Sequence, residues 1–334
     1  MCDELYAECR QCPRKCGTDR RRSRGFCTQN DRLYAASACL HFGEEPLITV
    51  FGGSGTIFFT GCTLKCAFCQ NYQISQQGMG AEVNCSTFVD MCLKLEEKGA
   101  ENINLVTPSH HVPVIAEYIV AAKKAGVKIP FAWNSSAYES PEMLDMVKGL
   151  VDIYLPDLKT LNPIMSRELF AAEDYPQAAK KAIRRMIENA PLNIEEISKN
   201  GETKEKMLSG VIIRHLVLPG RMDDTRLVLD WLKAHADSKA CISLMNQYTP
   251  VPFTGSSGEL EKRRKALEAF SDRLISKEED KTLQQWIDSY EFEYLFYQEL
   301  SDDTSWLPDF SRTQPFSNAL ARPVWHWDKG FINE

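Results

Sequence analysis

Between residues 56 and 250 short apolar runs alternate with longer stretches whose apolar positions recur every three or four residues. The short runs read as buried strands and the longer stretches as amphipathic helices. Strands are predicted at 56–60, 102–107, 129–134, 151–156, 211–218 and 241–247. Helices fall between them. One spans about 87–98, with Ser86 as N-cap and Gly99 as its stop; the next spans about 113–125, with Pro113 in its first turn and Gly126 as terminator. A third opens at Ser140-Pro141-Glu142, a fourth covers roughly 176–189, and a fifth starts at Asp223 or Asp224 and contains Leu227, Val228 and Trp231. The Asn-, Lys- and Glu-rich stretch up to Ser209 reads as a surface excursion. Repeated strand–helix units imply an α/β fold with a parallel sheet. Six of them predict a partial, open (β/α)6 TIM barrel.

The flanks break this pattern. Residues 31–55 read as a connector ending in Phe51-Gly52-Gly53-Ser54-Gly55, which matches neither phosphate-loop signature and is expected to be a flexible turn before the first barrel strand. Beyond residue 250, segments 257–275 and 278–289 look helical, and Glu291 to Tyr297 alternates like a strand. The tail is rich in aromatics and proline, as in Trp306-Leu307-Pro308-Asp309-Phe310 and Trp325-His326-Trp327, and is expected to close the bottom or open side of the barrel, with a substrate-shaping role as the other reading. The expected division is therefore a Cys-rich segment and connector (1–50), a barrel (51–250) and an extension packed on it (251–334).

Composition narrows the function classes. With 43% hydrophobic and 25% charged residues, the 334-residue chain is ordinary for a soluble globular protein. A net charge of −7 gives no electrostatic reason to expect nucleic acid or an anionic membrane as partner. No apolar stretch approaches the ~20 residues that span a bilayer. Met1-Cys2-Asp3-Glu4-Leu5 lacks the basic region and hydrophobic core of a secretory signal. Twelve cysteines, clustered at metal-ligand spacings in such a chain, fit reduced thiols in the cytoplasm better than disulfides.

Two cysteine clusters carry the chemistry. Cys62, Cys66 and Cys69 follow the first barrel strand, where Gly61 lets the chain break away. Three thiols fall short of the four ligands of a closed structural zinc site. On a cubane iron–sulfur cluster they leave one iron without a protein ligand, open to a substrate or cofactor. Zinc completed by Cys85 or a distant histidine is the alternative. The second cluster, Cys9-x2-Cys12-x3-Cys16-x10-Cys27, is a full set for zinc or for an auxiliary iron–sulfur cluster, with a structural or electron-relay role. Pro13 and Gly17 favour turns between these ligands. The run Arg20-Arg21-Arg22-Ser23-Arg24 reads as a solvated face, with docking of an acidic partner as the other reading. Lys65 also reads as solvated, and Cys2 and Cys39 as bystanders.

The string GCTLKCAFCQNYQIS, with an aromatic immediately before its third cysteine, resembles the cluster motif of the radical S-adenosylmethionine (SAM) superfamily. It is similar in particular to proteins related to pyruvate formate-lyase activating enzyme. The resemblance implies a [4Fe–4S] cluster whose open iron chelates SAM, reductive cleavage of SAM to a 5′-deoxyadenosyl radical, and a one-electron donor such as flavodoxin or ferredoxin. The substrate would be a glycyl-radical-enzyme-like protein, a small molecule or another molecule. A non-catalytic metal-binding or electron-transfer protein is the contrasting class.

The resemblance also assigns residues at the strand ends, where parallel α/β folds carry function. Phe68 would lie near the adenine. Asn134 would meet SAM, Lys159 would pair with its carboxylate, and Asp157 would orient Lys159 or the ribose. Arg214 interrupts an apolar strand, and a buried guanidinium needs an anion; the resemblance supplies the SAM carboxylate, with an internal Asp or Glu as the structural alternative. Gln247 and Tyr248 stand where the family carries a histidine, and Thr107-Pro108-Ser109-His110-His111 stands where it carries Gly-Gly-Glu. Thr107 and Ser109 are candidates for that missing contact. His110 and His111 read either as exposed first-turn residues or as a substrate-side acid or base, and His215 as structural.

Overall fold

A computed structural model describes residues 2–298, 300 and 306–332. The chain opens with α1 (Cys2–Ala7), β1 (Tyr34–His41), β2 (Gly53–Phe59), α2 (Tyr72–Ser75) and β3 (Ala81–Glu82). The repeating units follow: α3 (Cys85–Glu97), β4 (Ala100–Val106), α4 (Val112–Ala125), β5 (Phe131–Ser135), α5 (Pro141–Met146) and β6 (Ile153–Pro156). After α6 (Pro163–Phe170) and α7 (Tyr175–Asn189) come β7 (Asn193–Lys199), β8 (Glu202–Leu216), α8 (Met222–His235) and β9 (Cys241–Met245). The C-terminal part holds α9 (Ser257–Leu267), α10 (Lys277–Tyr290), β10 (Leu295–Gln298), β11 (Ala321–His326) and β12 (Gly330–Phe331).

All six predicted strands form. They lie side by side and parallel in the order β2, β4, β5, β6, β8, β9, and β10 adds a seventh parallel strand beyond β9. On the other flank β1, β11 and β12 continue the sheet antiparallel. The sheet stays open, so this is a mixed α/β fold of the partial-barrel kind. The connector is therefore no bare loop, since β1 runs through it. The tail around Trp325 extends the open edge of the sheet beside β1.

Glycines explain the start of β2. A Cβ on Gly55 would lie 2.8 Å from the Asn102 carbonyl oxygen, and one on Gly53 would lie 2.8 Å from Leu40 Cγ. Side chains there would force neighbouring strands apart, so the glycine-rich stretch is strand, where a flexible turn is expected from sequence. The surface excursion is a hairpin, β7 against the exposed half of β8.

Most helices form where the pattern puts them, but α9 stops at Leu267, short of the expected 275, and α6 at Pro163–Phe170 is not among the expected helices. On α4 the buried positions Val112, Ile115, Ala116, Ile119 and Ala122 make one stripe, and Gly126 ends the helix at φ +113°. The N-cap of α3 is Asn84, not Ser86: its side chain accepts from the Thr87 backbone N–H at 2.9 Å. Period-two alternation then divides the strands. Ile103, Leu105, Phe131, Trp133, Val211, Ile213, Ile242 and Leu244 pack in one large core with the helices. Ala132, Ile153, Leu155, Ile212 and Cys241 face inward, where Leu47 and Ile48 of the connector pack on them.

Candidate active site

The inward parity that carries Ile212 in the core carries Arg214 and Leu216 at the C-terminal end of β8. The same count puts Asn134 at the end of β5 and Asp157 just past β6. These residues and Lys159 line a cavity of about 490 Å³, a size that suits a cofactor. Phe68, Gln247, Cys62, Cys66 and Cys69 line it too, so every residue that the resemblance assigns to SAM or to its cluster meets in one place.

The cysteine loop is held from three sides. Gly61 turns at φ +89°, and a Cβ there would lie 2.8 Å from the Cys27 carbonyl oxygen, so the N-terminal segment sits directly on the loop. Arg14 donates to the Thr63 carbonyl at 2.9 Å. The Ala67 N–H donates to Leu169 O at 2.8 Å, and Arg263 donates to Ala67 O at 2.7 Å. Cys69 Sγ lies 3.2 Å from Ser75 Oγ, and the Leu64 N–H points at Cys62 Sγ at 3.4 Å. Burial pushes the Cys62 thiol up to about 11 and raises Cys66 as well, and a bound metal centre would favour their thiolate forms. As the side chains stand, no group of three or more His, Cys, Asp or Glu among the described residues closes on a point that would hold a lone metal ion. Three thiols on one loop are a donor set that a cubane cluster would accept while keeping one iron open.

Phe68 packs its ring against Phe170, Tyr248 and Phe270 at 5.9–6.0 Å, so the ring is part of the core as well as of the cavity wall. Asp157 is the hub of the polar wall. It accepts from Lys159 Nζ at 2.7 Å through Oδ2 and from Arg214 Nε and Nη2 at 2.9 and 2.7 Å through Oδ1. Burial alone would raise its pKa, but the two cations hold it below the usual carboxylate range. Arg214 Nη2 also donates to Asn134 Oδ1 at 2.6 Å. Arg214 thus already has an internal carboxylate, and Asp157 orients Lys159.

Some expectations are corrected. His110 and His111 are buried and neither lines the cavity. His110 Nε2 meets Thr60 O at 2.8 Å, and burial lowers its pKa to about 3; His111 is lowered too. They form the joint that receives the N-terminal segment. Arg20, expected in solvent, is 1% exposed: it donates to His110 O at 2.5 Å and Asn30 O at 2.6 Å and lies over the Tyr6 ring. Lys65 is half-buried, its Nζ 5.6 Å from the centre of the Phe26 ring. Ser109 donates to the buried Glu139 at 2.5 Å, whereas Thr107 lines the cavity. His215 is structural as expected, held by Leu158 O at 2.7 Å and Thr225 Oγ1 at 3.1 Å.

The structure adds wall residues with no role in the sequence reading, His41, Glu44 and Glu45 from the connector and Phe316 and Leu320 from the C-terminal part, and it places Trp306 and Pro308 of the aromatic tail in the same wall. Both segments lie outside the strand–helix repeat, so no strand-end rule points to them. The traces in the sequence are the acidic pair in a stretch otherwise rich in apolar residues and the aromatic, proline-rich run at Trp306.

The N-terminal thiols share one knuckle. Cys9, Cys12 and Cys27 are buried and Cys16 is exposed. Burial pushes Cys12 up to about 12, with the other three thiols adding to the shift.

The family model for the radical SAM superfamily matches residues 56–232. The uncharacterized protein MJ0674 of Methanocaldococcus jannaschii is 30% identical over 255 residues, which cover 74% of this chain and 67% of that protein. The pyruvate formate-lyase-activating enzyme of Listeria monocytogenes is 26% identical over 177 residues, 50% of this chain and 63% of the enzyme, so the chain spans less than two thirds of its length. The crystal structure of a radical SAM methyltransferase from Sphaerobacter thermophilus is similar at 12% identity and TM-score 0.48, over 75% of this chain and 68% of that one. The family model covers more than half of the chain and takes in the loop whose three cysteines open on the cavity: the chain belongs to the radical SAM superfamily.

Proposed function

We propose that Cys62, Cys66 and Cys69 hold a [4Fe–4S] cluster and that SAM lies between it and the polar wall formed by Asn134, Asp157, Lys159, Arg214 and Gln247. The convergence of these residues with the three thiols on one cavity supports this reading. When bound, the cluster supplies an electron for reductive cleavage of SAM to methionine and a 5′-deoxyadenosyl radical, which takes a hydrogen atom from the substrate. Lys159 offers its ammonium to the SAM carboxylate, and Asp157 fixes that ammonium in place. Arg214 and Asn134 brace Asp157 and present their remaining donors to the cavity. Phe68 and its aromatic neighbours keep water from the reacting atoms.

Cys9, Cys12, Cys16 and Cys27 form a second metal site, zinc or iron–sulfur, in a supporting or relay role. Arg20 favours it. This buried guanidinium makes no ion pair with a carboxylate among the described residues and points Nη1 at Cys9 Sγ, 3.8 Å away, where metal-bound thiolates would balance its charge. A one-electron donor such as flavodoxin or ferredoxin feeds the reaction in the cytoplasm. The kinship with pyruvate formate-lyase-activating enzyme puts a protein of glycyl-radical type first among substrates to test.

Anaerobic reconstitution with metal and sulfide analysis, then dithionite reduction with SAM, tests the reading. About four irons and release of 5′-deoxyadenosine are expected from the Cys62 loop, with zinc or about four further irons from the knuckle. Zinc alone, with no SAM cleavage, overturns it. Cys66→Ala is expected to lose the loop's iron and all cleavage while keeping the metal of the knuckle; full iron content with intact cleavage would remove Cys66 from the ligand set.

A further inference from the structure

The described wall of the cavity carries one more carboxyl group than it has cations to pair with. Among the described residues its wall has three acidic groups, Glu44, Glu45 and Asp157, against two cations, Lys159 and Arg214. Asp157 takes both cations at 2.7 Å. Among the described residues Glu44 and Glu45 interact with each other and meet one cation, the remaining nitrogen of Arg214, Nη1, at 4.0 and 3.9 Å, beyond hydrogen-bonding range. Their side chains are 11% and 9% exposed, burial raises the pKa of both and that of Glu45 to about 7, and Glu45 Oε2 is buried with no hydrogen-bond donor among the described residues. The neighbouring His41, 3.8 Å from Glu44, offers no charge, because burial lowers its pKa to about 4. A buried carboxylate oxygen without a donor is costly, and a cationic N–H group would satisfy it.

Three successive ion pairs separate the glutamates from the lysine that faces the thiols. Cys62 and Cys66 feel the charge of Lys159; Lys159 pairs with Asp157, Asp157 with Arg214, and Arg214 with the glutamates. Apolar surface stands beside them. The His41 ring meets Phe316 edge-on at 5.0 Å, and Phe316 packs on Phe58 at 5.4 Å. Carboxylates next to aromatic faces suit a cation on an apolar stem.

We propose that Glu44 and Glu45 form a substrate subsite for a positively charged group, an alkylammonium or guanidinium, whose stem lies against Phe58 and Phe316. The inference rests on SAM occupying the thiol end. SAM itself carries an ammonium and a sulfonium, so the cofactor is the other source of a cation and the test must separate the two.

The full chain with its cluster reconstituted is titrated, with and without SAM, with N-acetyl-lysine methylamide and with its neutral analogue N-acetyl-norleucine methylamide, by ligand-observed NMR. SAM binding is measured separately by calorimetry. The lysine probe is expected to bind about 10-fold more tightly than the norleucine probe, as a charge-assisted hydrogen bond implies. Glu44→Gln and Glu45→Gln should each reduce that preference, and the double variant should remove it while still binding SAM. The single variants carry the test if the double variant does not fold. Equal binding of the two probes, or a preference that survives in the glutamine variants, overturns the proposal. Loss of SAM binding in the variants without any amine preference in the parent protein overturns it in favour of a cofactor role. Failure of the parent protein to cleave SAM refutes the function proposed above but leaves the amine preference readable from the SAM-free titration.

Discussion

At the residue scale the site is an ion-pair chain, and its behaviour follows from which charge is satisfied by which. Asp157 has its pKa lowered in the fold by Arg214 and Lys159. A carboxylate whose folded pKa lies below its unfolded value of about 3.9 stabilises the fold above that value and loses the contribution as pH falls through the folded pKa. The stability gap between the parent protein and Asp157→Asn should therefore be flat above about pH 5 and shrink below about pH 4, measured by urea unfolding across that range. Arg214→Met leaves Asp157 with one cation and the two glutamates with none, a loss expected to cost about 3–5 kcal/mol in the same assay. A change under 1 kcal/mol would show that water already solvates that end of the cavity.

At the element scale the helices draw their stability from one buried face each. Ile115 lies at the centre of the α4 stripe and is fully buried. Ile115→Ala is expected to cost about 2–5 kcal/mol in chemical denaturation, through lost transfer energy and the cavity left behind. Asn84→Ala should cost about 1 kcal/mol, because the α3 cap loses the acceptor for its Thr87 N–H. The contrast between these two effects separates core packing from end-capping. Helix patterns of this kind were legible from sequence because each apolar stripe is written into a single contiguous segment. The Asn84 cap was not, since Asn84 and Ser86 are equally good capping types and only the path of the backbone chooses between them.

At the scale of the whole molecule, three stretches of chain build one sheet and one cavity. The N-terminal knuckle rests on the cysteine loop through Gly61 and Arg14, and Arg20 locks it to His110 and His111. Arg20→Met should therefore loosen both cysteine clusters at once. The expected result is a lower unfolding temperature together with reduced iron retention at Cys62, Cys66 and Cys69, read by iron analysis of the single variant and of its double with Cys66→Ala. Unchanged iron retention at that loop would mean that the knuckle folds independently of it. The division at residues 50 and 250 is a matter of sequence pattern, whereas β1, β10 and β11 join all three stretches in the same sheet.

The sequence by itself determined the six parallel strands, their order, the helices between them and the three thiols, because alternation and local spacing are properties of short segments. It also placed Asn134, Asp157, Lys159 and Arg214 at strand ends, since a period of two fixes which face each one takes. Only the tertiary structure decided what those side chains meet. The Arg214–Asp157 pair, the burial of Arg20 against His111 and the entry of Glu44 and Glu45 into the cavity all join residues far apart in the chain. Whether a charge is solvated or buried depends on what folds over it, and a segment carries no record of a neighbour that arrives from elsewhere.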